Sequence, residues 1–155
     1  MIAVTGGTGF VGGHFIHLLK DSGKPFVCLI RPQSSRKSKL DLASAPHREV
    51  NYQDTQSVQN ALSGVRILVH ILGRTNGTDE ILKQSNVETT QVLVKAAGAA
   101  GVQKIIYVSS VAAMQRHGTY GQTKFDAEEI IRSSNIPHLI FRPAYIFGRG
   151  DEQIT

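Results

Sequence analysis

The sequence has a single cysteine, Cys28, in 155 residues, which excludes a disulfide framework within the chain. Cys28 stands inside the apolar run Phe26-Val27-Cys28-Leu29-Ile30, where a thiol serves as a small hydrophobe. No apolar run approaches the roughly 18–20 residues that span a bilayer. A signal segment is lacking too, because Met1-Ile2-Ala3-Val4 runs straight into a glycine loop. These absences point to a reducing, cytoplasmic setting and away from a membrane. Internal repeats, low-complexity tracts and interdomain linkers are also missing, so residues 1–155 read as one domain. With 19% charged and 41% hydrophobic residues, the chain has the profile of a globular domain rather than a disordered one.

Acidic residues are the scarcer charge: 12 Asp+Glu against 17 Lys+Arg, a net +5. The basic excess is not spread in a stripe. Arg31, Arg36, Lys37 and Lys39 cluster directly after an apolar run. A local cluster suits a phosphate-bearing small ligand better than nucleic acid.

What the chain does have is alternation. Short apolar runs predict strands at 1–4, 26–30, 48–52, 67–72, 104–108 and 138–141, and spaced apolar residues predict helices at 10–20, 55–63, 78–100 and 119–132. Asp54 is placed to cap the second helix. Mostly apolar strands are expected when both faces of a sheet are covered. Regular strand–helix alternation then implies a parallel α/β sheet with right-handed crossovers.

Between the first strand and first helix lies Thr5-Gly6-Gly7-Thr8-Gly9-Phe10-Val11-Gly12. Gly6 permits a tight turn, Gly9 lets backbone approach a pyrophosphate, and Gly12 lets helix and strand pack closely. The helix start adds free N–H groups and a positive dipole end. The motif in this position points to dinucleotide binding. About 20 residues on, an NAD site usually has an acidic residue for the ribose hydroxyls. Here Arg31 stands there, and its forked guanidinium suits a 2′-phosphate, favouring NADP over NAD.

Tyr120 and Lys124 stand at i and i+4, on one face of a helix. A lysine charge there stabilises a tyrosinate, and such a tyrosine can exchange a proton with a carbonyl or alcohol oxygen. Ser109 and Ser110 end the fifth strand, where a hydroxyl faces the ligand crevice.

Together these segments resemble the short-chain dehydrogenases/reductases. Asn86-Val87-Glu88-Thr89-Thr90-Gln91-Val92-Leu93 and Phe141-Arg142-Pro143-Ala144-Tyr145-Ile146-Phe147-Gly148 are similar to segments of the extended branch, the NAD-dependent epimerase/dehydratase family. The resemblance implies a Rossmann-type, doubly wound sheet of order 3-2-1-4-5-6. It implies Tyr120 as general acid/base, Lys124 as its activator and Ser110 as the hydroxyl that orients the substrate oxygen, with Ser109 the weaker choice. Cofactor contacts are expected from Gly6, Thr8, Gly9, Phe10, Val11, Gly12, Arg31, Asn51, Tyr52, Leu72, Gly73, Tyr120 and Lys124, those at Leu72 and Gly73 mostly through backbone. Asn51-Tyr52 replaces the Asp-Leu that the family often has at its adenine site. The implied activity is hydride transfer between NAD(P) and a carbonyl or alcohol carbon of a small molecule such as a nucleotide sugar or a steroid. A homodimer through the helices at 78–100 and 119–132 is also implied.

Extended members continue into a substrate domain that this chain, ending at Thr155, does not contain. A truncated product with an open sixth strand and uncovered apolar faces is therefore expected. Two rival readings remain: a nucleotide-binding sensor or structural subunit without turnover, and an inert fragment. Among smaller features, His14 and His17 lack a third metal ligand, and no metal site is expected. His70 is expected to satisfy a buried hydrogen bond, and His117 to be a loop residue. Asp126, Glu128 and Glu129 read as the solvated face of a helix.

Overall fold

The computed structural model describes residues 1–32, 34 and 44–151. Arg36, Lys37 and Lys39, expected in the basic cluster, lie outside the described residues. Six strands, β1 (Ile2–Thr5), β2 (Phe26–Ile30), β3 (His47–Glu49), β4 (Ile67–His70), β5 (Lys104–Val108) and β6 (His138–Phe141), form one sheet of order β3-β2-β1-β4-β5-β6. Every neighbouring pair is parallel, and helices are described in every crossover except the one from β2 to β3. These are α1 (Phe10–Asp21), α2 (Thr55–Ala61), α3 (Asp79–Lys83), a π-helical turn (Gln84–Glu88), α4 (Thr89–Ala99), α5 (Ala112–Gln115) and α6 (Gly118–Arg132). The expected doubly wound order is the observed one.

Successive strand residues feed opposite layers, as the period of two demands. Ala3, Val27, Leu29, Leu68, Ile105 and Tyr107 pack with residues of α2, α4 and α6. Val4, Phe26, Cys28, Ile30 and Val69 pack with Ile16 and Leu19 of α1 on the other side. Cys28 is fully buried there as a free thiol. The second layer stops short of β6, where Leu139 and Phe141 remain 42% and 53% exposed. Among the described residues no helix is long and apolar enough to cross a membrane.

Two elements differ from expectation. The strand expected at 48–52 is the shorter β3, because Asn51 and Tyr52 leave the ladder. The Asn51 side chain accepts from the Gln53 amide at 3.0 Å, and the Tyr52 hydroxyl donates to Leu29 O at 2.8 Å. The helix expected at 78–100 contains the π turn, which buries both Asn86 and Val87. Asp54 caps α2 as expected, accepting from the Gln56 amide at 2.9 Å.

Candidate active site

The glycine loop is built by close approach. Gly6 has φ +75, and a Cβ on it would lie 2.6 Å from Leu72 N. A Cβ on Gly12 would lie 2.1 Å from Gly6 O, which only glycine avoids. The Gly9 amide donates to Gly6 O at 3.0 Å, closing the turn. Gly9 is also the N-cap of α1, with no side-chain cap and no acidic residue in the first turn. The opening amides of α1, at Phe10, Val11 and Gly12, therefore face outward without an intrahelical partner. Thr8 stands half-buried in the same loop. This cradle of glycines below an uncapped helix start fits a dinucleotide pyrophosphate.

The loop is tied to β4 by a buried relay. The Thr5 hydroxyl accepts from the Ile71 and Leu72 amides at 3.2 and 3.3 Å and meets His70 Nδ1 at 2.8 Å. On the other side, His70 Nε2 meets Thr90 Oγ1 at 2.9 Å, and that hydroxyl donates to Asn86 O at 2.7 Å. With the Thr90 proton committed, His70 Nε2 must be the donor, and Nδ1 accepts from Thr5. The imidazole is neutral: burial, aided by the charge of Lys124, holds its pKa down at about 3. The Asn86 side chain in turn accepts from the Arg74 amide at 2.8 Å and donates to Arg74 O and Thr123 Oγ1 at 3.0 and 3.1 Å. These bonds hold the Leu72–Gly73 segment against α6.

On α6, Lys124 is 4% exposed. Its ammonium donates to Val108 O at 2.9 Å and lies 4.3 Å from the centre of the Tyr107 ring. A Cβ on Gly73 would come within 3.7 Å of the same nitrogen. Burial drives Lys124 down to about 7, opposed by the negative charge of Glu128. Tyr120, one turn earlier, is half-buried. The Tyr107 phenol is pushed up by burial, with the charges of Tyr120 and Glu128 adding to it. Ser110 is half-buried, and its oxygen accepts from the Ala112 amide at 3.2 Å. That leaves its proton free to donate.

The structure thus brings Gly6, Gly9, Gly12, Leu72, Gly73, Ser110 and Lys124 to the carboxyl ends of β1, β4 and β5. Arg31 follows β2 and is exposed. Asn51 is exposed just beyond β3, while the Tyr52 side chain is buried in the core. Tyr52 therefore offers only backbone to a ligand. His14, one of the two helix histidines, meets Arg149 O at 3.0 Å. One expectation is corrected: Glu128 is not on a solvated face. Its side chain is fully buried against Arg132 and Arg142, because the segment after β6 brings Arg142 over α6. A four-residue step from Lys124 and the Arg142-Pro143 pair were the sequence signals for it.

Residues 6–154 match the model of a family described as NAD(P)H-binding. The chain is 29% identical over 158 residues to a ceramide reductase of Caulobacter vibrioides, covering 99% of this chain and 48% of that one. It is 27% identical over 154 residues to the mitochondrial NADH dehydrogenase [ubiquinone] 1 alpha subcomplex subunit 9 of Mus musculus, covering 96% of this chain and 41% of that one. Among solved structures, triphenylmethane reductase of Citrobacter sp. complexed with NADP(H) superposes with a TM-score of 0.77 at 28% identity, covering 94% and 50%. The chain spans about half the length of these relatives.

Proposed function

Since the chain belongs to the NAD(P)H-binding family, within the extended short-chain dehydrogenase/reductase superfamily, we propose that residues 1–155 are one NAD(P)-binding domain serving hydride transfer to or from a small carbonyl or alcohol. The observation that carries this reading is the seat of Lys124. Its ammonium is held at Val108 O, beside Gly73, on the same helix as Tyr120 and at the same sheet end as the glycine loop.

The amides of Phe10, Val11 and Gly12 bind the pyrophosphate, with Gly6, Thr8 and Gly9 shaping its turn. Leu72 and Gly73 line the cofactor through backbone, and Asn51 and the Tyr52 backbone take the adenine end. Arg31 pairs with a 2′-phosphate, which favours NADP. When bound, the dinucleotide supplies or accepts the hydride. Ser110 donates its free proton to the substrate oxygen and orients it. Tyr120 gives or takes the proton at that oxygen. Lys124 brings positive charge beside the phenol, which favours its ionised form. Compounds of the steroid or nucleotide-sugar kind are the substrate classes favoured by the family.

A second reading, a nucleotide-binding subunit without turnover, is favoured by the match to a subunit of NADH dehydrogenase. Tyr120→Phe separates the two. Unchanged NADPH affinity with turnover lost supports the enzyme. NADPH binding with no carbonyl reduction by the unaltered protein supports the subunit.

A further inference from the structure

Along one face of α6 run Tyr120, Lys124 and Glu128, four residues apart. The third touches neither the glycine loop nor the crevice, yet it is the most heavily bonded side chain of the helix. Glu128 Oε1 accepts from Ser109 Oγ at 2.5 Å and from Arg142 Nε at 2.9 Å. Its Oε2 accepts from Arg142 Nη2 at 2.6 Å and Arg132 Nη2 at 2.9 Å. The partners come from the end of β5, from the segment after β6 and from the next turn of α6. A paired arginine fork of this kind is directional as well as strong. One carboxylate therefore clamps α6 to two strand ends, and Ser109 lies directly between the Val108 carbonyl that holds Lys124 and the Ser110 hydroxyl.

We propose that Glu128 is a positioning residue: through Ser109 and Arg142 it fixes how far α6 slides along β5, and so sets Lys124 on Val108 O and Ser110 beside it. This rests on the reading that Ser110, Tyr120 and Lys124 do the chemistry. Other charged or titratable groups around Lys124 are Tyr120 on α6, Tyr107 on β5 and His70 on β4. The charge of the Glu128 carboxylate opposes the burial that drives the proton off Lys124. A second effect follows from the geometry: Glu128 helps Lys124 keep its proton.

The test compares Glu128→Gln with the unaltered protein. Nitrogen-15 NMR of the Lys124 ammonium needs no turnover. Loss of the carboxylate is expected to lower the Lys124 titration midpoint by about one pH unit, because burial is then opposed by less negative charge. With NADPH and a reducible carbonyl, kcat should fall about tenfold while NADPH affinity stays within about twofold. Glu128→Asp restores the charge but not the reach, so it recovers the midpoint and not kcat. A folded Glu128→Gln protein with the Lys124 midpoint unmoved overturns the proposal. If Glu128→Gln does not fold, Ser109→Ala replaces it. Displacement of the Lys124 resonance then supports the clamp, and an unmoved resonance overturns it. Absence of turnover in the unaltered protein would sink the enzymatic reading alone, and the Lys124 resonance still decides the role of Glu128.

Discussion

The Thr5 hydroxyl donates to His70 Nδ1 at 2.8 Å, and this bond leaves the imidazole no room for a second proton. Protonated Nδ1 would confront a hydroxyl whose lone pairs already serve the Ile71 and Leu72 amides. His70 keeps a native pKa of about 3 through burial and the Lys124 charge, against about 6.5 unfolded. Below 6.5 the unfolded chain takes up a proton that the native one refuses, so stability falls with pH down to about 3. The slope from this group alone approaches about 1.4 kcal/mol per pH unit. Thermal melts between pH 6.5 and 4.5 should show it, and His70→Asn should flatten it. An equal slope in both proteins would show that His70 is not the group responsible.

Lys124 gives the same sign in a higher pH window. Its native value is about 7, against about 10.4 unfolded. Above pH 7 the unfolded chain binds the extra proton, so raising the pH favours the native state. The gain should run from pH 7 to about 8.5. Beyond that Cys28, raised to about 12 by burial, works the other way, because its unfolded thiol ionises first. Lys124→Met should abolish the rise in melting temperature over this window.

Two glycine-to-alanine changes should diverge. Gly12→Ala sets a methyl 2.1 Å from Gly6 O, so backbone must move. NADPH affinity should drop at least about tenfold, and stability by more than about 1 kcal/mol. Gly98, within α4, has nothing within 4 Å of an added Cβ. There alanine should stabilise by roughly 0.5–1 kcal/mol, leaving NADPH binding untouched. Isothermal titration and denaturant unfolding report both.

Arg31→Ala should weaken NADPH binding by about tenfold or more, the loss of a charge-assisted pair with a 2′-phosphate, and leave NADH binding nearly unchanged. Parallel loss for both dinucleotides would remove Arg31 from any role in discriminating them.

The glycine loop was legible in the sequence because its requirement is local: Gly6, Gly9 and Gly12 must lack side chains whatever else the chain does. The parallel α/β class was legible because apolar strands alternating with helices leave few topologies, while the strand order came with the family resemblance. Tyr120 and Lys124 shared a face by spacing alone. Glu128 was misread because its neighbours Asp126 and Glu129 are polar, and the arginine that buries it lies 14 residues further along, beyond β6. Tyr52 had no local sign that its hydroxyl reaches Leu29 O, a bond across 23 residues. The helix α5 was missed because four residues are too few to show a period.

The wide turn at Gln84–Glu88 changes what the long crossover between β4 and β5 presents to the sheet. An ordinary helix advances about 100° per residue; one added residue rotates everything downstream by that amount. Leu82 therefore packs on one line, while Thr90 reaches His70 and the buried Asn86 side chain reaches Arg74 and Thr123, and Leu93, Ala96 and Ala97 return to apolar packing. Deleting a single residue there would restore regular winding at the cost of swinging the relay out of reach, uncoupling the glycine loop from α6 without touching either.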